Sequence, residues 1–240
     1  MNESRDFSDL TSLNARELNE LGNAYVDHGM WDEALECYER SLALRREGKD
    51  RRGEMVILNN LGALYHRQAL WDEALRWYRE SREIARKLEE RESELATLVN
   101  MIFIHFTRSQ VEGFLQLAAE AEELAQALEG WASLSILNWL RGSQAFASAR
   151  DEEGMAYYAK ALRFALKGGE ATLQDMLAHV DKEMERLVHQ GSPGLALVFC
   201  DYLLIACEDM ERVREHLIAK REELLSPPRL SGRERTGEES

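Results

Sequence analysis

Apolar residues along this chain recur at helical spacing over long stretches, separated by short polar breaks. Leu18, Leu21, Gly22 and Tyr25 fall at i, i+3, i+4 and i+7, which is one face of a helix. Leu58, Leu61, Gly62 and Tyr65 repeat that stripe, and a second kind of helix carries Ala34, Leu35, Tyr38 and Leu42, then Ala74, Leu75 and Tyr78. The segment LNELGNAY at 18–25 returns as LNNLGALY at 58–65, and WDEAL at Trp31 returns at Trp71, so the period is 40 residues. A fixed period of this size marks a stack of helix pairs, because one pair alone cannot bury its apolar face.

Beyond Glu90 the pattern changes but keeps its period. Leu98, Met101, Ile102 and His105 occupy the first-helix stripe, while Phe114 and Ala118 exchange large and small relative to Ala74 and Tyr78. These positions lie four apart on one helix face, so the exchange predicts conserved packed volume and a third repeat. A fourth repeat runs from about Trp131 to Leu166, with two registers open for its first helix: Leu137 and Leu140 imply an offset of 39, Gly142 one of 40. Helical period alone supports a fifth pair, Ala171 to Gln190 and a helix opened by Ser192 and Pro193 as N-cap and first residue. Glu211 to Leu225 reads as a polar amphipathic helix that caps the stack.

Gly29, Gly48, Gly130, Gly168 and Gly169 stand at the expected breaks, where a left-handed residue ends a helix. Met30 and Leu70 stand where a polar cap is expected before Trp31 and Trp71, and Asp32 and Asp72 favour the helix dipole from the first turn instead. The expected organisation is a flexible segment over 1–12, a repeat domain over 13–225 and a disordered tail over 226–240.

The repeated residues resemble the tetratricopeptide pattern W-x2-L-G-x2-Y followed by A-x3-F, with Leu18 and Leu58 in place of the usual Trp. The resemblance spans Leu13 to Leu225 and is specific as far as Glu90. The period exceeds the usual 34 or so residues of that family, as it does in kinesin light chains and in bacterial regulators with extended repeats. The resemblance implies an all-α, right-handed superhelical solenoid of about five antiparallel helix pairs. It also implies a scaffold or adaptor that binds a peptide or protein partner in a concave groove. The alternatives are a peptide-responsive regulator acting on a partner protein and, last, an enzyme of unrecognised type.

Composition narrows the partners. Net charge is −14, which disfavours sequence-independent binding to nucleic acid phosphates and suits a basic partner. The N-terminal MNESRDFSDLTSLN lacks a signal-type apolar run, and no stretch of about 18 apolar residues occurs, so neither export nor a membrane span is expected. Cys37, Cys200 and Cys207 form neither a CxxC pair nor an even set, which fits a reducing cytoplasm.

No phosphate loop, HExxH, GxSxG or kinase signature appears, and no two of the six histidines share ligand spacing on one helix. No catalytic residue, cofactor or metal site is therefore expected. His105 replaces Tyr25 and Tyr65 between apolar neighbours and reads as a hydrogen-bonded core histidine, with a pH-sensitive switch as the functional alternative. Self-association is compatible with every reading, through Trp131, Trp139 or the terminal helix.

A second stripe beside the core stripe marks the candidate binding surface: Asn19, Asn23 and Val26, then Asn59, Ala63 and His66, then Val99, Phe103 and Phe106. Successive sets lie 40 apart, so stacking aligns them in columns, and the family resemblance places those columns on the concave surface. Asn19, Asn23, Asn59, Asn60 and Asn100 both donate and accept, as recognition of an extended peptide backbone requires. Phe103 and Phe106 would supply an apolar pocket. The competing reading has the Asn side chains bridging neighbouring repeats and MIFIHF buried on all sides.

Overall fold

The computed structural model describes residues 10–226. Apart from Leu10–Ser12, a short 3-10 turn, and Ser226, the two terminal segments lie outside the described residues. Among the described residues there are eleven α-helices and no strand, arranged in consecutive packed pairs. The chain divides into two compact units between Ser133 and Leu134.

The first unit holds three pairs: α1 (Ala15–Asp27) with α2 (Trp31–Glu47), α3 (Arg51–Arg67) with α4 (Trp71–Lys87), and α5 (Arg91–Thr107) with α6 (Val111–Ala127). Within this unit α2 also packs on α3, and α4 on α5. The pairs close on a notch. A Cβ placed on Gly22 would lie 2.6 Å from the Tyr38 ring, and one on Gly62 would lie 2.6 Å from the Tyr78 ring. Each glycine is what lets a buried tyrosine lie flat on the helix opposite.

The third pair solves the same contact in reverse. Ile102 stands at the glycine position, Ala118 at the tyrosine position and Phe114 at the preceding alanine position, all at most 1% exposed. Volume removed from α6 at Ala118 is returned by Ile102 and Phe114, so the repeat persists without its signature residues.

A hydrogen bond marks the same symmetry. Ser41 Oγ donates to the Ala15 carbonyl at 2.6 Å and Ser81 Oγ to that of Met55 at 2.8 Å, each from an even helix to the odd helix of its pair. In the fourth pair the donor changes sides, and Ser135 Oγ donates to the Ala161 carbonyl at 2.9 Å.

The second unit holds α7 (Trp131–Ala147, from Leu134 onward), α8 (Asp151–Gly168), α9 (Glu170–His189), α10 (Pro193–Ala206) and α11 (Glu211–Leu225). A Cβ on Gly142 would lie 2.6 Å from the Tyr158 ring, which repeats the notch at an offset of 80 from Gly62 and settles the register at 40. Asn138, 1% exposed, fills the column of Leu18, Leu58 and Leu98 and donates to the Leu134 carbonyl at 2.8 Å. Pro193 opens α10 as expected, but Ser192 makes no side-chain cap.

The helix ends depart from expectation. Left-handed residues recur every 20 positions, at Gly29, Lys49, Ala69, Glu89, Ser109, Glu129, Ala149 and Gly169. Gly48 is right-handed, with φ −74°, and Gly130 and Gly168 are not left-handed. From Gly29 to Ala149 the chain reverses by the same carbonyl capping whatever the residue: Asp50 N–H donates to the Arg45 carbonyl at 2.8 Å and Lys49 N–H to that of Arg46 at 3.1 Å. A non-glycine residue there costs about 1–2 kcal/mol, against roughly 0.5–1 for glycine's extra chain entropy. Ala69→Gly and Ala149→Gly (φ 58° and 55°) should therefore each stabilise the protein, by up to about 1 kcal/mol, as read from urea midpoints.

Met30 and Leu70 do precede their helices without a side-chain cap, and Asp32 and Asp72 lie in the first turns. α1 has a full capping box, in which the Asn14 side chain accepts from the Glu17 N–H and the Glu17 carboxylate from that of Asn14.

Candidate functional site

The candidate residues lie on one face of the first unit, along α1, α3 and α5. Their asparagines form a ladder between neighbouring repeats. Asn60 Nδ2 donates to Asn19 Oδ1 at 2.8 Å and to Asn23 Oδ1 at 3.4 Å, and Asn100 Nδ2 donates to Asn59 Oδ1 at 3.4 Å. Two residues outside the predicted set complete it: the Tyr38 hydroxyl donates to Asn23 Oδ1 at 2.7 Å, and Thr97 Oγ1 to Asn59 Oδ1 at 3.4 Å. The bridging reading of the asparagines is thus realised.

Bridging does not bury them. Asn23 is exposed, and Asn19, Asn59, Asn60 and Asn100 are half-buried. Each ladder contact is accepted by the Oδ1 of the earlier asparagine. No hydrogen bond to a described residue engages Nδ2 of Asn19, Asn23 or Asn59, or Oδ1 of Asn60 or Asn100.

Val26, Ala63, His66, Phe103 and Phe106 are half-buried on the same helices. Val99, expected on the open stripe, is only 9% exposed and belongs to the packing, because its branched side chain gains more from burial than an asparagine at that position. Phe106 rests against the core ring of Phe114, with centroids 6.0 Å apart. His66 meets the Trp71 ring edge-on at 5.4 Å.

Burial, reinforced by the adjacent Arg67 charge, holds the His66 pKa below its ordinary value. His105 is lowered mainly by burial and by Arg79 and Arg108, against a hydrogen bond with Gln110 that raises it. Its Nδ1 is buried without a hydrogen bond and lies against Gly113, where a Cβ would approach it to 2.6 Å. The expected hydrogen-bonded core histidine is therefore satisfied on one side only.

With folded pKa values below the unfolded one, the unfolded chain takes up protons first as pH falls. Stability should be level above the ordinary histidine pKa of about 6.5 and decline below it. The thermal midpoint is expected to fall between pH 7.5 and 5.5, and His105→Gln should flatten that fall.

Two carboxylates elsewhere in the first unit are held in ion pairs. Glu54, 4% exposed, pairs with Arg46 Nε at 2.9 Å and with Arg51, and its counterpart Glu94 pairs with Arg82 at 3.4 Å and Arg86 at 3.5 Å. The three cysteines are free and buried, and burial pushes each thiol up to about 11, far from a reactive thiolate. Among the described residues no group of three or more His, Cys, Asp or Glu is arranged to hold a metal ion, and no helix is long and apolar enough to cross a membrane.

Comparison with known proteins bears on the fold. Residues 13–87 match the tetratricopeptide repeat family model. No curated protein matches the chain in sequence. Among solved structures, BtubC (BKLC) from P. vanneervenii is 16% identical with a TM-score of 0.62, over 90% of this chain and 84% of that one. Aspartyl phosphate phosphatase F from Bacillus subtilis is 10% identical with a TM-score of 0.63, over 89% of this chain but 60% of its own. A kinesin light chain protein of nearly identical TPR-like repeats from Podospora anserina is 16% identical with a TM-score of 0.58, over 82% and 96%. Residues 13–87 thus match the tetratricopeptide repeat family, and the helix pairs beyond them share the fold of these solved structures.

Proposed function

We propose that this chain is a non-catalytic protein-interaction module that holds an extended segment of a partner against the face of α1, α3 and α5. The observation that carries this reading is the set of amide atoms left over by the asparagine ladder. Side-chain N–H groups remain at Asn19, Asn23 and Asn59, and carbonyl oxygens at Asn60 and Asn100. An extended backbone offers the complementary alternation of C=O and N–H whatever its side chains. Neighbouring helices lie about 8–10 Å apart, and a strand rises about 3.3 Å per residue, so one repeat corresponds to roughly three peptide residues.

Residues 1–133 hold 26 acidic and 16 basic side chains, which suits a basic partner. Three buried free thiols suit a reducing cytoplasm.

Capture from native lysate by the parent and by Asn59→Ala/Asn100→Ala tests the reading. Long hydrogen bonds between half-buried amides contribute at most about 1 kcal/mol each, so the double variant should stay folded, with a thermal midpoint only slightly lowered. Its capture should fall sharply. Equal capture of the same proteins by the folded variant would remove the proposal.

A further inference from the structure

Tyrosines at one position of the repeat, Tyr38, Tyr78 and Tyr158, meet different fates at their hydroxyls. In the first pair the Tyr38 ring lies on Gly22, and its hydroxyl reaches Asn23, 15 residues earlier, at 2.7 Å. In the fourth pair the Tyr158 ring lies on Gly142, and its hydroxyl meets Ser143 Oγ, again 15 residues earlier, at 2.8 Å. The second pair keeps the glycine and the ring, with Tyr78 on Gly62. The residue 15 earlier is Ala63, which has no polar atom to offer.

Tyr78 is only 1% exposed and has no hydrogen bond to any described residue. Burial alone raises its pKa, whereas Ser143 and Trp139 hydrogen bonds also act on Tyr158. Tyr78 shares one buried cluster with Ala74, Leu75, Met101 and Ile104, which leaves its ring little room to swing toward another partner. Half-buried Ala63 offers only a methyl group where the first pair has a carboxamide and the fourth a hydroxyl. It lies one helical turn from both Asn59 and Asn60.

We infer that the Tyr78 hydroxyl, left without a partner where Ala63 replaces Asn23 and Ser143, donates a hydrogen bond to a main-chain carbonyl of the bound peptide. This rests on the peptide-holding reading above and adds the point at which the peptide is pinned. A neutral carbonyl fits better than a carboxylate, because the first unit carries ten more acidic than basic residues.

The test is a titration of the full chain, carrying 13C-labelled tyrosine rings and 15N-labelled asparagine amides, with N-acetyl-trialanine methylamide, a neutral blocked peptide. Tyr78 ring signals should shift saturably while those of Tyr38 and Tyr158 stay in place. Tyr78→Phe should weaken binding about tenfold, the equivalent of one hydrogen bond. Ala63→Asn supplies the carboxamide that Asn23 gives Tyr38, so it should keep or raise the thermal midpoint while abolishing the response. Shifts at the Asn59 and Asn100 amides without one at Tyr78, or unchanged binding by Ala63→Asn, overturn this inference and leave the groove. No response at either the amides or Tyr78 overturns both.

Discussion

Gly62→Ile should destabilise the first unit severely, and adding Ala74→Phe and Tyr78→Ala to it should restore most of what is lost. The substituted Cβ alone would lie 2.6 Å from the Tyr78 ring, a ring that shares a buried cluster with Met101 and Ile104. Overpacking of this kind costs about 1–3 kcal/mol or more. Tyr78→Ala alone opens a cavity costing about 3–5 kcal/mol. The triple variant copies the solution the chain already uses at Ile102, Phe114 and Ala118, where all three side chains are buried. Its urea midpoint should lie above that of Tyr78→Ala and of Gly62→Ile. A triple variant no more stable than Tyr78→Ala would mean that the third repeat is not a volume exchange.

That exchange explains how far the fold was legible in the sequence. Repeats one and two announce themselves because glycine and tyrosine meet across one contact in both. The third was readable from Phe114 and Ala118, since packing conserves volume rather than identity. Asn138 hid the register of the fourth by placing a polar residue in a leucine column, so Leu137 and Leu140 mimicked an offset of 39. Its Nδ2 is satisfied by the Leu134 carbonyl one turn back, a local bond that no apolar periodicity reports. Helix ends are only partly legible for a related reason. Glycine marks the positive φ at Gly29 and Gly169, whereas Lys49, Ala69, Glu89, Ser109, Glu129 and Ala149 adopt it because the 20-residue helix-and-turn unit imposes it.

The candidate surface was legible as columns but not as chemistry. A period of 40 aligns Asn19 with Asn59, but the ladder runs from Asn60 to Asn19 and from Asn100 to Asn59, a step of 41. The helices meet with a one-residue stagger that no self-comparison exposes. Tyr38 and Thr97 escaped notice because they reach the ladder from outside its stripe. The usable signal was the 15-residue separation that links Asn23 to Tyr38 and Ser143 to Tyr158, and it becomes visible only once the glycine notch is understood. Val99 shows the opposite failure, in which a correct column includes a residue that packing has withdrawn from it.

Phe199→Ala should cost about 3–5 kcal/mol and loosen the second unit first. Helical period alone announced the last pair, yet Phe199 is 0% exposed and joins α10 to the helices before it. Its ring meets Phe146 and Tyr158 edge-on, each at a centroid distance of 5.1 Å, and those two lie 5.8 Å apart. Such aromatic contacts contribute about 0.5–1.5 kcal/mol beyond area burial, and alanine removes two of the three together. Phe146 already lies against Gly154, where a Cβ would approach it to 3.0 Å, so it has little freedom to fill the space. In a stack of repeats stability is local, each pair depending on its immediate neighbours. Hydrogen exchange of Phe199→Ala should therefore show lost protection in α8, α9 and α10 while α3 and α4 keep theirs. Uniform loss along the whole chain would mean that the two units unfold as one, and that the aromatic cluster supports the entire stack.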